Sequence, residues 1–106
     1  MAWFYLILAG LTEVFWATFL KLSEGFTRPL YSLVTVVGMI ASFLLLSQAT
    51  KTLPLGTAYG IWTGIGALGA VVVGIVLFRE PVSFGRIFFA AVLLVGIIGL
   101  KISSPA

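Results

Sequence analysis

The sequence contains no cysteine, no histidine and only three acidic residues, and these absences exclude several kinds of chemistry. Without cysteine there is no disulfide, thiolate metal site or redox pair, and without histidine there is no imidazole base. Three well-separated carboxylates make a poor metal site. The chain also lacks a phosphate-binding glycine-rich loop ending in Lys-Ser or Lys-Thr, and it lacks a Gly-x-Ser-x-Gly nucleophile motif. We therefore expect neither an enzyme nor a protein with a cofactor or a bound metal.

Charged residues of either sign are scarce as well, at 8% of 106 residues, whereas a soluble domain carries about 25%. Hydrophobic residues make up 61% of the chain, and the mean hydropathy is +1.24. A water-soluble fold would have too few polar side chains to cover its surface, so this class is excluded. The net charge of +3 comes from six scattered Lys and Arg residues that form no basic stripe, which argues against nucleic acid as a partner.

Four long apolar runs account for most of the chain, at 2–21, 30–49, 56–78 and 84–102. The hydrocarbon core of a bilayer is about 30 Å thick and takes about 20 helical residues to cross, so each run predicts one membrane-spanning helix. The connections are short and contain the turn-forming sequences Ser-Glu-Gly, Arg-Pro, Lys-Thr-Leu-Pro and Arg-Glu-Pro. We predict an all-α membrane protein in the lipid bilayer, with residues 1–106 forming a single four-helix transmembrane domain.

The positive charges in the connections do not favour one orientation in the membrane. If the termini face the cytoplasm, the inner side carries Lys51 and Lys101. The outer side then carries the four other basic residues, Lys21, Arg28, Arg79 and Arg86. Lys21 and Lys101 also lie at helix ends, where they can snorkel to the surface. Two interpretations remain open, a weakly specified single topology and a dual topology in which copies insert both ways.

Among the charged residues only Glu13 lies deep inside an apolar run. A charge at the bilayer centre costs about 3 kcal/mol on insertion scales, and acids in such positions mark functional sites by default. No Lys or Arg of the chain lies at comparable depth, so a proton or an arriving cation must neutralise Glu13. Competition of proton and cation for one carboxylate is the minimal chemistry of an antiporter. The alternative is that a protonated Glu13 hydrogen-bonds across a helix contact and only joins helices.

Polar and aromatic residues at helical spacing are the other candidates for this site. Trp16 shares the face of Glu13 and offers an indole N–H donor and a ring that attracts cations. Ser42 lies in the middle of the second run. The third run carries a stripe of four residues, which are Tyr59, Trp62, Thr63 and Gly66. The opposing interpretation is that Tyr and Trp anchor helix ends at the membrane interface and that Ser bonds its own backbone.

Four glycines in the third run, Gly64, Gly66, Gly69 and Gly74, predict either close helix packing or a softened bend. Four spans are too few to enclose a substrate and alternate its access, and transporters usually place a site between two repeats. The chain contains no internal repeat, so a second copy must supply the other half. An antiparallel homodimer does this and sets two copies of Glu13 across one cavity.

With these residues in place, the chain resembles the small multidrug resistance family of bacterial proton-coupled exporters over essentially its whole length. The resemblance rests on Glu13, on the sequence KLSEGFTR at 21–28 and on PLGTAYGIWTGIG at 54–66. It is closer to the guanidinium-exporter subtype than to the quaternary-ammonium subtype. Trp16 stands where the drug-exporting branch tends to have Gly, and WTGIGA occupies 62–67.

The resemblance implies an antiparallel, dual-topology homodimer in the bacterial inner membrane. In it Glu13 binds proton and substrate alternately. The family also implies that Trp16 and Ser42 hydrogen-bond and orient Glu13, and that Tyr59 and Trp62 line the same cavity.

The leading interpretation is a proton-coupled exporter of guanidinium ion and small substituted guanidiniums. Within the same class, the alternative is an exporter of quaternary ammonium and other lipophilic cations. Gly60 stands where the family usually has Ala, and the room that it adds beside Tyr59 bears on substrate breadth. An alternative from a different functional class is that the chain forms a non-transporting membrane subunit or a passive cation pore. An antiporter moves substrate uphill on a pH gradient, a pore only dissipates gradients, and a subunit does neither.

Overall fold

The computed structural model describes residues 1–104 as four α-helices in chain order. They are α1 (Ala2–Leu22), α2 (Pro29–Ala49), α3 (Leu55–Leu77) and α4 (Phe84–Ser103). Each helix is long and apolar enough to cross a membrane. The all-α architecture with four candidate spans is therefore confirmed, and every helix begins and ends within one residue of the predicted apolar run.

The turns between the helices follow from the residues that break the apolar runs. Pro29 occupies the first turn of α2, and Pro54 is the residue immediately before α3, where a missing N–H removes no helical bond. Ser83 caps α4 by accepting the Arg86 backbone N–H at 3.2 Å. After α1, three consecutive residues have positive φ, namely Glu24, Gly25 and Phe26.

Close packing through small residues joins α1 to its neighbours. Helix α1 packs against both α2 and α3, whereas α4 packs mainly against α3. The Lys101 ammonium of α4 also lies 5.5 Å from the centre of the Trp3 ring of α1. A Cβ built at Gly10 of α1 would overlap Ile65 of α3, and one built at Gly69 of α3 would overlap Val14 of α1. Because α3 runs unbroken from Leu55 to Leu77 and its glycines face neighbouring side chains, the close-packing interpretation of these glycines is the one that the structure supports.

Polar side chains form part of the small core of the chain. Ser23, Thr35 and Ser42 are fully buried, beside apolar residues such as Leu6 and Ala9. Helix α4 has no buried residue among residues 1–104. Its Leu93 and Ile97 lie against Gly64 of α3, and most of its other apolar side chains are exposed. The interior that could hold a polar site is therefore made by α1, α2 and α3.

Candidate functional site

Glu13 projects from α1 toward α3 and lies directly over Gly66. A Cβ built at Gly66 would overlap the carboxylate and Cγ of Glu13, so a side chain at position 66 would displace the acid. The Glu13 side chain is half-buried, and its Oε1 is fully buried. Within residues 1–104 this oxygen has no hydrogen-bond partner. Buried polar atoms without a partner are rare, because losing their hydration is unfavourable.

No basic side chain of the described residues neutralises Glu13. The ion pair that residues 1–104 contain is Arg86–Glu80, in the connection between α3 and α4. Within the same residues no group of three or more acidic side chains lies close enough to hold a metal ion. The Glu13 carboxylate can therefore take up a proton, or a cation that comes from outside the chain.

Ser42 joins all three packed helices through two hydrogen bonds. Its hydroxyl donates to the backbone carbonyl of Ala9 in α1 at 2.7 Å, and it accepts the indole N–H of Trp62 in α3 at 3.0 Å. Ser42 is fully buried and Trp62 is only 6% exposed. Ser42 thus bonds neither its own helix nor the Glu13 side chain, but the backbone of the helix that carries Glu13.

The Ala9 carbonyl lies one helical turn before Glu13. In an α-helix the carbonyl of residue 9 accepts the backbone N–H of residue 13, so Ser42 contacts the hydrogen-bonded turn that supports the acid. The Thr12 hydroxyl donates to the same carbonyl at 2.8 Å. This network holds α1 at a defined height against α2 and α3, and so sets the depth of Glu13.

An aromatic cluster surrounds the indole of Trp62. Its ring centre is 5.4 Å from that of Tyr59 and 5.7 Å from that of Phe43. Tyr59 is 53% exposed, so it forms the open edge of the cluster, and Trp62 forms the buried side. The structure therefore brings Ser42, Tyr59 and Trp62 together, on α2 and α3, about one turn along α1 from Glu13.

Trp16 packs differently from the expectation that the resemblance gave. Its Cβ lies against Gly38 of α2, where a Cβ on the glycine would overlap it. The indole Nε1 is buried and has no hydrogen-bond partner within the described residues. Residues three apart are separated by about 60° around a helix, so Trp16 can face α2 while Glu13 faces α3. The hydrogen bonds from Trp16 and Ser42 to Glu13 are accordingly absent among residues 1–104 of this single chain.

Two features of the site were not predicted from the sequence. The Ala9 carbonyl is a backbone atom, which carries no side-chain signal. Phe43 looked like any other apolar residue of a span. Gly66, by contrast, was predicted to share a stripe with Tyr59 and Trp62, and it lies against Glu13.

Comparison with known proteins agrees with the architecture. A family model described as Small Multidrug Resistance protein matches residues 1–94. A "Guanidinium exporter" from Yersinia pestis is 54% identical over 104 residues, covering 98% of this chain and 100% of that protein. Proteins with the same name from Salmonella typhimurium (strain LT2) and Citrobacter freundii are 51% and 50% identical over 104 residues, with 98% of this chain and 99% of each relative covered.

These relatives are named exporters and the family is one of transporters, so the chain is a transporter and not an enzyme. Four candidate spans and bacterial relatives make it a multi-pass membrane protein of bacteria. Both the length of the family match and the identity to full-length relatives lead to one assignment: the chain belongs to the small multidrug resistance family.

Proposed function

We propose that this chain exports guanidinium ion and small substituted guanidiniums across the bacterial inner membrane in exchange for protons. Glu13 binds the proton and the substrate alternately. The names of relatives at 50–54% identity support the substrate class. The proposal rests most on one observation, which is the buried Oε1 of Glu13 that has no partner within residues 1–104.

Exchange follows from the surroundings of Glu13. An ionised carboxylate at this depth is unfavourable without a counterion, and residues 1–104 offer it none. A bound proton removes the charge, and a bound cation compensates it. Because either one satisfies the same carboxylate, binding of one promotes release of the other, which couples their movements in opposite directions.

Guanidinium suits such a carboxylate better than a quaternary ammonium does. It is planar and presents parallel N–H donors, which match both oxygens of a carboxylate. A tetraalkylammonium has no N–H and must be held by apolar and aromatic surface alone. The unpaired Nε1 of Trp16, one turn along α1, is a further donor close to the acid, available to hold the carboxylate once a substrate or a second chain changes its surroundings.

We also propose that two chains form the transporter as an antiparallel homodimer with dual topology. The basic residues at the two ends of the helices are nearly balanced, and α4 packs mainly against α3 and leaves most of its apolar side chains exposed. Glu13 is only half-buried, so one chain closes one side of the acid and leaves the other side open. A second copy inserted in the opposite orientation would close it.

The test is uptake of guanidinium into proteoliposomes driven by a pH gradient, comparing the wild type with Glu13→Gln. Gln keeps the size and hydrogen bonding of Glu but cannot carry the charge or exchange the proton. We expect uphill uptake by the wild type and none by E13Q, with folding and dimerisation unchanged. Proton-driven uptake by E13Q would show that another group couples the two ions. Downhill flux alone in the wild type would indicate a pore.

A further inference from the structure

A pocket of about 150 Å³ lies between α1 and α3, beyond Glu13 on the same faces of both helices. Its walls begin at Ala17, four residues after Glu13, and at Ala70, four residues after Gly66. Four residues rise about 6 Å along a helix, so the pocket continues from the acid toward the C-terminal ends of α1 and α3. One water needs only about 10–15 Å³, so a small organic cation fits here.

Two ionisable side chains line the outer end of this pocket, Lys21 and Glu80. The Lys21 ammonium lies 5.2 Å from the centre of the Phe78 ring, in a cation–π contact. The Glu80 Oε1 accepts a hydrogen bond from Arg86 Nη2 at 2.8 Å. The counterion of Glu80 is therefore Arg86, which is not among the residues that line the pocket, whereas Lys21 stays on the opposite wall.

The local backbone holds Glu80 in this place. Phe78 and Glu80 both donate their backbone N–H to the carbonyl of Gly74, at 3.2 and 3.0 Å, which folds the chain back over the end of α3. Arg79 between them has φ +53°, in the left-handed region that is unfavourable for residues other than glycine. The Glu80 carboxylate then lies over Gly74, where a Cβ would overlap it. A strained residue and a glycine contact thus combine to direct an acid into the pocket.

Arg86 presents to Glu80 the same chemical group that the proposed substrate carries. Its guanidinium also donates to the Pro81 carbonyl at 3.3 Å, so it keeps one partner if the bond to Glu80 opens. The side chains of Arg86 and Glu80 are 32% and 36% exposed. Ion pairs this exposed contribute little to stability, so a guanidinium ion can replace Arg86 at the carboxylate with equivalent hydrogen bonds.

We propose that Glu80 is a second cation-binding carboxylate, which holds guanidinium ions in the outer pocket on their way to or from Glu13, and that Arg86 is the resident ligand they displace. The inference rests on the proposed function, guanidinium export. Glu80 also offsets the charge of Lys21, since a pocket with Lys21 alone would repel cations.

The test is the concentration dependence of guanidinium uptake by proteoliposomes containing the wild type, Glu80→Gln, Arg86→Gln or both substitutions. E80Q should raise KM several-fold with kcat near that of the wild type. This rise is smaller than the roughly tenfold to hundredfold change expected when a fully buried charged hydrogen bond is lost. R86Q removes the competing ligand and should lower KM. The double variant should behave like E80Q.

A purely structural role for the Arg86–Glu80 pair predicts a different pattern. Both single variants break the same bond, so both would change uptake in the same direction, and this result would overturn the proposal. R86Q is also decisive by itself, because an unchanged or raised KM in a folded R86Q variant contradicts displacement even if E80Q fails to fold.

Matched controls come from exposed residues in the connection between α1 and α2, at the same end of the helices as Glu80 and Arg86. Glu24→Gln and Arg28→Gln make the same changes of charge, and R28Q shares with R86Q any effect on membrane topology. Both controls should keep the KM of the wild type. A KM in E80Q equal to that in E24Q would overturn the inference, whereas absence of guanidinium uptake by the wild type would contradict the proposed function instead.

Discussion

The two hydrogen bonds of Ser42 lead to a quantitative prediction for two substitutions. Ser42→Ala removes the bond to the Ala9 carbonyl and also the acceptor of the Trp62 indole N–H. Trp62→Phe keeps a ring beside Tyr59 and Phe43 but removes the indole N–H, while Ser42 stays bonded to Ala9. The double variant contains neither partner of the bond between α2 and α3.

The expected energies follow from burial. Ser42 is fully buried and Trp62 is 6% exposed, so the indole N–H in S42A has no water to replace its acceptor. A buried donor left unpaired costs about 1–3 kcal/mol, and we expect S42A to lower the free energy of unfolding by this amount. Hydrogen bonds between membrane helices average about 0.6 kcal/mol and reach about 1.7 kcal/mol in double-mutant cycles. The loss of unfolding free energy in the double variant should therefore be smaller than the sum of the losses in the two single variants, by about 0.6–1.7 kcal/mol.

The assay is reversible unfolding in mixed detergent micelles, followed by circular dichroism for all four proteins of the cycle. As a control that the substitutions act locally, each folded variant should have the same helix content as the wild type. Residues that do not interact give additive effects within about 0.3–0.5 kcal/mol. Additivity within that margin would refute the bond between Ser42 and Trp62, and with it the connection of Ser42 to α3.

Three further predictions concern the acid and its surroundings. Gly66→Ala should weaken guanidinium binding measured by calorimetry, because its Cβ would displace the Glu13 carboxylate. Gly60→Ala is the control and should leave binding near that of the wild type, since its Cβ meets only the flexible end of Leu100 at 3.0 Å. Equal effects of the two substitutions would contradict the contact between Gly66 and Glu13. Trp16→Gly should lower the ratio of guanidinium to tetrapropylammonium transport, because it removes the indole donor that we propose holds the Glu13 carboxylate once a substrate binds. An unchanged ratio would show that Trp16 does not contribute to specificity. Two or three Lys residues added to the connections on one side of the membrane should fix the orientation of a C-terminal reporter and reduce transport by the chain expressed alone. Full activity of a population inserted in one orientation would rule out the antiparallel dimer.

The sequence predicted the helices because bilayer thickness constrains the length of every span. Each apolar run needed about 20 residues, and the proline and charged residues between the runs left little freedom for the helix ends. The choice of Glu13 as a candidate site residue also followed from the bilayer, because a single acid deep in an apolar run is costly to insert.

The contacts around the acid depended on how the helices pack, which composition does not encode. The Ser42 hydroxyl was expected near Glu13, but its proton goes to the Ala9 carbonyl because α2 meets α1 one turn away from the acid. Trp16 was expected to bond Glu13, but Gly38 provides a space for it on α2. Glu80 was interpreted only as part of a turn, because its place in a pocket arises from backbone bonds to Gly74.

The central claim is that proton and guanidinium compete for Glu13, and the most direct test is to count the protons released when guanidinium binds. Purified wild type and E13Q are titrated with guanidinium in weakly buffered solution at constant ionic strength and several pH values. The account predicts that the wild type releases protons on binding and that its affinity falls as the pH falls, because a protonated Glu13 no longer attracts a cation. E13Q should release no protons when guanidinium is added, because Glu80 alone then binds the cation. Guanidinium binding by E13Q with the proton release of the wild type would contradict the account.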